Sequence, residues 1–91
     1  MNAQARTPQL DIDPGEPVYI IGVVSQLVRI PIWTLRVLDR EGVVKPKRRV
    51  GRARLYSLND MQVLVRIRPL LIERRVNIEG VRVILRMERV G

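Results

Sequence analysis

The chain contains no cysteine, no histidine and no phenylalanine. Without thiols there is no disulfide frame, no thiolate metal site and no thiol redox switch, a usage compatible with a reducing cytosol. Without imidazoles, and with only six acidic residues after position 17, the chain offers no metal cluster and no nucleophile paired with its base. It has no phosphate-cradling glycine loop either. These absences argue against an enzyme, a bound metal and a cofactor. No run of 18 apolar residues is present, and the amino terminus lacks a basic segment followed by an apolar stretch. A membrane span and a secretory signal are therefore not expected, and the chain reads as a soluble cytoplasmic protein.

What the chain does have is charge of one sign. Its 91 residues allow one domain with a modest core. Lys and Arg number 17 against 9 Asp and Glu, a net +8. Residues 1–17 set Arg6 against Asp11, Asp13 and Glu16, or −2, so residues 18–91 carry +10. A body this basic points to nucleic acid before anionic lipid or an acidic protein. The charge is densest between positions 45 and 54, where Lys45, Lys47, Arg48, Arg49, Arg52 and Arg54 occur with no acid among them.

Residues 1–17 hold three prolines and a glycine among scattered apolar residues, too little to offset the entropy of ordering, and read as a flexible tail. The domain is expected over residues 18–91. Val18 to Ile21 is a brief extended lead-in ending at Gly22. Apolar residues at 23, 24, 27 and 28 then have the spacing of a short helix with one buried face. Pro31 suits the start of a second helix running to Arg40, with Leu35 and Leu38 inward and Thr34, Arg36, Val37 and Arg40 on or near the outer side. Two short helices joined by a tight turn make a helix-turn-helix, whose second helix fits a major groove. Gly42 ends that helix as a left-handed residue, and Val43 and Val44 return to the core. Two extended segments, about Lys47 to Val50 and Arg54 to Tyr56, bend near Gly51 and form a basic wing. Ser57 and Asp60 resemble a capping box opening a third helix, with Met61, Leu64 and Ile67 inward. Pro69 should kink or split it. Asn77 is a fair cap for a last helix striped by Ile78, Val81 and Leu85. The fold class is thus mostly α, with about four helices and a short hairpin.

These pieces in this order resemble the MerR family of winged helix-turn-helix regulators, and within it the heat-shock repressors of HspR type. The resemblance rests on Tyr19-x-Ile21, on Thr34-Leu35-Arg36 followed by Asp39-Arg40-x-Gly42-x-Val44-x-Pro46, on Arg54-x-Tyr56-Ser57 with Asp60, and on Val76-Asn77-Ile78-x-Gly80-Val81. It implies that the helix from Ile32 to Arg40 reads double-stranded DNA, with Arg36 on the backbone or a base edge and Arg54 and Tyr56 in a wing that grips phosphates. It further implies a homodimer on inverted repeats, repression of stress or chaperone genes, the DnaK chaperone as co-repressor, and a bacterial, nucleoid-associated location. Several positions depart from the family pattern: Val37 and Leu38 replace two aromatics, Trp33 stands where a polar residue is usual, and Arg29 replaces a turn glycine.

The residues expected to meet DNA are Ile32, Trp33, Arg36, Val37, Arg40, Lys47, Arg48, Arg49, Arg52, Arg54 and Tyr56. For Trp33 the alternative is a packing role at the edge of the core, and Arg36 could instead pair with Asp39. The stripe of Ile78, Val81 and Leu85 reads first as core, and is also the first candidate for contact between two copies. Arg74, Arg75, Arg82, Arg86 and Arg89 read as exposed helix faces. Two rival functions remain open: an architectural DNA-binding factor, excisionase-like or assembling head to tail, which the stop at Gly91 favours, and an adaptor whose basic wing meets an acidic protein.

Overall fold

The computed structural model describes residues 12–48, 51 and 53–90, apart from the side chains of Arg48, Arg89 and Val90. Residues 1–11 of the tail expected over residues 1–17, and Arg49, Val50 and Arg52 of the wing, lie outside the described residues. Strand β1 (Tyr19–Ile20) leads directly into α1 (Ile21–Val28), and α2 (Ile32–Arg40) follows after a short turn. Strands β2 (Lys47–Arg48) and β3 (Arg54–Tyr56), helix α3 (Leu58–Arg68), a π-helical turn (Pro69–Glu73) and helix α4 (Ile78–Val90) complete the order.

The turn between α1 and α2 is made by a residue that is not glycine. Arg29 takes φ 61°, and its N–H donates to the Ser25 carbonyl at 2.9 Å. Three further bonds hold the corner: the Ser25 hydroxyl donates to the Ile30 carbonyl (2.6 Å), the Arg68 Nε–H to the Arg29 carbonyl (2.8 Å), and the Leu35 N–H to the Pro31 carbonyl (3.1 Å). A non-glycine residue is uncommon in the left-handed region, so the corner is fixed by its partners rather than by its sequence preference. The two helices meet at 111°, within the range of a helix-turn-helix.

Helix α1 starts at Ile21 rather than Val23 and takes Gly22 into its first turn. Only Val24 and Val28 of its four expected core positions are buried, while Val23 is exposed and Leu27 keeps 61% of its surface. Eight residues make just over two turns, and the buried pair at i and i+4 already fills the contact with α2 and α3. In α2, Thr34 joins Leu35 and Leu38 in the interior at 7% exposure instead of facing out. Its position lies one turn before Leu38, on the core side of the helix.

The wing is more firmly rooted than a hairpin. Strand β3 is the middle of a three-stranded antiparallel sheet ordered β1-β3-β2, with Tyr19 opposite Tyr56, Ile20 opposite Leu55, and Arg48 opposite Arg54. The Val18 N–H extends the ladder to the Tyr56 carbonyl at 3.0 Å. Gly42 and Gly51 take φ 74° and 70°, the conformation that the end of α2 and the wing bend require. Upstream of β1, the Pro14 carbonyl accepts the Asn59 N–H at 3.0 Å, against the first turn of α3.

Helix α3 opens with a reciprocal cap. The Ser57 N–H donates to Asp60 Oδ2 (2.9 Å) and the Asp60 N–H to Ser57 Oγ (3.1 Å). Pro69 does end α3: the chain continues as a π turn in which the Arg74 N–H reaches back to the Pro69 carbonyl at 2.9 Å. Asn77 caps α4 by accepting the Gly80 N–H at 2.7 Å. Val81 is fully buried, and Ile78 and Leu85 pack against the core around Leu35, Leu38, Leu64 and Ile67. These three residues therefore hold α4 to its own domain, with Val81 closed off and Ile78 and Leu85 half-buried. Among the described apolar residues of α4, Val83 and Met87 are exposed. Across the surface, Arg66 pairs with Glu88, and Arg82 with Glu79 (3.2 Å) and Glu41 (3.7 Å).

Candidate nucleic-acid interface

At 100° per residue, Leu35, Leu38 and Thr34 define the inner side of α2, and Ile32, Trp33, Arg36 and Arg40 fall on the opposite one. All four are exposed, Trp33 at 70%. Val37 lies at the edge of this face, half-buried. It lines a groove of about 610 Å³ with Trp33, Leu71, Ile72, Val76 and Ile78. Trp33 thus borders the groove without closing over it. The sequence alternative, in which the indole packs into the core edge, is not what its exposure describes.

Asp39 faces the wing. Its carboxylate straddles Nη1 of Arg54, with both oxygens at 2.8 Å, so the end of α2 is tied to the first residue of β3. Arg36, three residues before Asp39 on the same helix, has no acidic partner among the described residues. It borders a cleft of about 380 Å³ with Ile20, Ile21, Ala53, Arg54 and Tyr56. The fifteen-residue separation of Asp39 and Arg54 explains why sequence reasoning missed the pair and weighed the nearer Arg36 instead. Arg54, expected as a phosphate contact, also positions the wing through Nη1, with 39% of its side chain still exposed.

Tyr56 is the buried member of the wing. Only 1% of its surface is exposed, so its ring is a core element at the root of the wing rather than a surface contact. Burial pushes its phenol up to about 12, with the nearby charges of Asp39 and Asp60 adding to the rise. Lys47 is exposed on β2. Arg48 belongs to the same strand, with its side chain outside the described residues, as are Arg49 and Arg52. The described residues brought together on one side are therefore Ile32, Trp33, Arg36 and Arg40 on α2, next to a wing held by Arg54.

A helix pair meeting at 111°, an exposed cationic second helix and a sheet-rooted basic wing define a winged helix-turn-helix. Residues 19–88 match the family described as MerR HTH family regulatory protein, and the chain belongs to that family. It is 35% identical over 88 residues to a protein named heat shock protein HspR from Streptomyces coelicolor, covering 97% of this chain and 58% of that one. It is also 32% identical over 72 residues to proteins named HTH-type transcriptional regulator GlnR from Bacillus anthracis and Bacillus cereus, covering 79% of this chain and 55% of each. The chain spans a little over half the length of these relatives.

Proposed function

We propose that the chain is the DNA-reading part of a transcriptional regulator, most similar to an HspR-type repressor of stress and chaperone genes. The observation that carries this reading is the outer face of α2, where Trp33, Arg36 and Arg40 stand exposed beside a wing that Arg54 fastens to Asp39. Arg36 and Arg40, with Lys47, Arg48, Arg49 and Arg52 of the wing, supply the backbone term. Ile32 and Trp33, at the start of α2, supply contacts to bases, because the amino-terminal residues of a recognition helix reach furthest into the groove. In this reading the protein acts on the chromosome in the cytoplasm, as a homodimer on inverted half-sites, with the DnaK chaperone as co-repressor.

Neutralising about five phosphates gives a slope of log affinity against log salt of roughly −4 to −5. Titration of duplex DNA from low to moderate salt measures that slope, and an affinity indifferent to salt would exclude phosphate gripping. Selection of sites from random duplexes then reports half-site orientation. Inverted pairs support the dimeric repressor, whereas direct repeats or a ladder of shifted bands support head-to-tail assembly. Adding purified DnaK to the protein–DNA complex tests the co-repressor: tighter binding supports it.

A further inference from the structure

From the exposed first turn of α2 we infer that Trp33 is a specificity residue that reads the 5-methyl group of one thymine in each half-site. The inference rests on the DNA-reading function proposed above and narrows what its recognition helix selects.

Trp33 is the most exposed of the large hydrophobic residues described, at 70%. It is the second residue of α2, whose amino-terminal cap is Pro31. It lies one turn before Arg36 and nearly in line with Arg40, on the side opposite Leu35 and Leu38. Two exposed cations thus follow it along the same face. When those guanidiniums meet the phosphates flanking a major groove, the indole, one turn nearer the helix start, is carried to the base edges.

The chemistry of the indole then limits what it can read. It has a broad apolar surface and a single N–H donor, and no acceptor. In the major groove guanine presents two acceptors, adenine an acceptor and a donor, and cytosine a donor. Covering those atoms with an apolar ring strips them of water without replacing the hydrogen bond, which is costly. Thymine alone offers an apolar group there, its methyl. Ile32, exposed beside Trp33, widens the same apolar surface, and Val37 lines the same groove as Trp33. The indole is thus free to meet a base edge.

The test uses the full chain and a duplex obtained by selection from random sequence. Each thymine of the selected site is replaced in turn by deoxyuridine, which keeps every hydrogen-bonding group and removes only the methyl. One position per half-site should weaken binding by about fourfold, the value of one buried methyl-sized group. In Trp33→Ala that position should lose its preference, binding thymine and uridine duplexes equally, while Trp33→Phe should keep part of it. Because the side chain is exposed, the thermal midpoint of Trp33→Ala should match that of the wild type. Wild-type binding that ignores uridine at every position would overturn the inference and leave the DNA-reading function intact. Uridine sensitivity that survives in Trp33→Ala would overturn it as well, by assigning the methyl to another side chain. Failure to select or bind any duplex would overturn both.

Discussion

Tyr56 shows how one residue can belong to the wing and to the core at once. Its position at the end of β3 put it in the wing, and its burial makes it part of the core. A phenol raised from 10.0 to about 12 favours the neutral form in the folded protein. Its contribution to stability is therefore intact below pH 10 and is lost as pH rises towards 12. The loss should reach roughly 2 to 3 kcal/mol by linkage of about two pKa units. Denaturant titration at pH 8 and at pH 12 measures it. Tyr56→Phe should show a smaller drop over that interval, other titrations being common to both proteins. Asp39 is the second contributor to the shift, so Asp39→Asn should return the phenolate absorbance titration part of the way towards 10. An unmoved titration in that variant would remove the carboxylate from the cause. Asp39→Asn also frees Arg54, and DNA affinity should then fall although neither side chain need touch DNA.

At the scale of elements, the parts legible in the sequence are those governed by local rules. Gly42 at positive φ, the Ser57–Asp60 cap, the Asn77 cap, the break at Pro69 and the Pro31 start of α2 each depend on a few neighbouring residues. The parts not legible depend on which distant element arrives. Leu27 is apolar and correctly spaced, yet no helix among the described residues covers it. Thr34 is polar yet buried, and Arg54 is paired with an acid on another element. The junction of the π turn and α4 gives a case where local preference and packing oppose each other. Alanine in place of Gly80 gains about 1 kcal/mol of helix propensity. Its Cβ would lie 2.7 Å from Val76 Cγ1 and 3.2 Å from the capping Asn77 Oδ1. Valine is stiff at χ1, and overpacking of this kind costs about 1 to 3 kcal/mol. Gly80→Ala should therefore lower the melting temperature, and Gly80→Ala with Val76→Ala should recover most of the loss. A single variant more stable than the wild type would show that the junction gives way freely.

On the scale of the whole molecule, α4 closes the domain from the far side. Val81 has no exposed surface, and truncating a buried valine removes two methyl groups, costing about 1 to 3 kcal/mol. Val81→Ala should accordingly shift the unfolding midpoint without changing the concentration dependence of self-association. Met87→Lys should leave the unfolding midpoint near the wild-type value, because that side chain is exposed. Sedimentation of both variants on and off DNA separates folding from assembly, and dissociation by Val81→Ala at unchanged stability would restore the inner stripe as a contact between copies. The placement of β3 between β1 and β2 has a thermodynamic consequence. A two-stranded hairpin is marginally stable in water, and one that had to order itself on the duplex would subtract that entropy from binding. Because residues 18–20 join the ladder before any DNA arrives, the ordering of the wing root is charged to folding instead of to recognition. The amides of β1 and β3 should then exchange with solvent as a single cooperative unit, and the protein should meet its operator as a nearly rigid body.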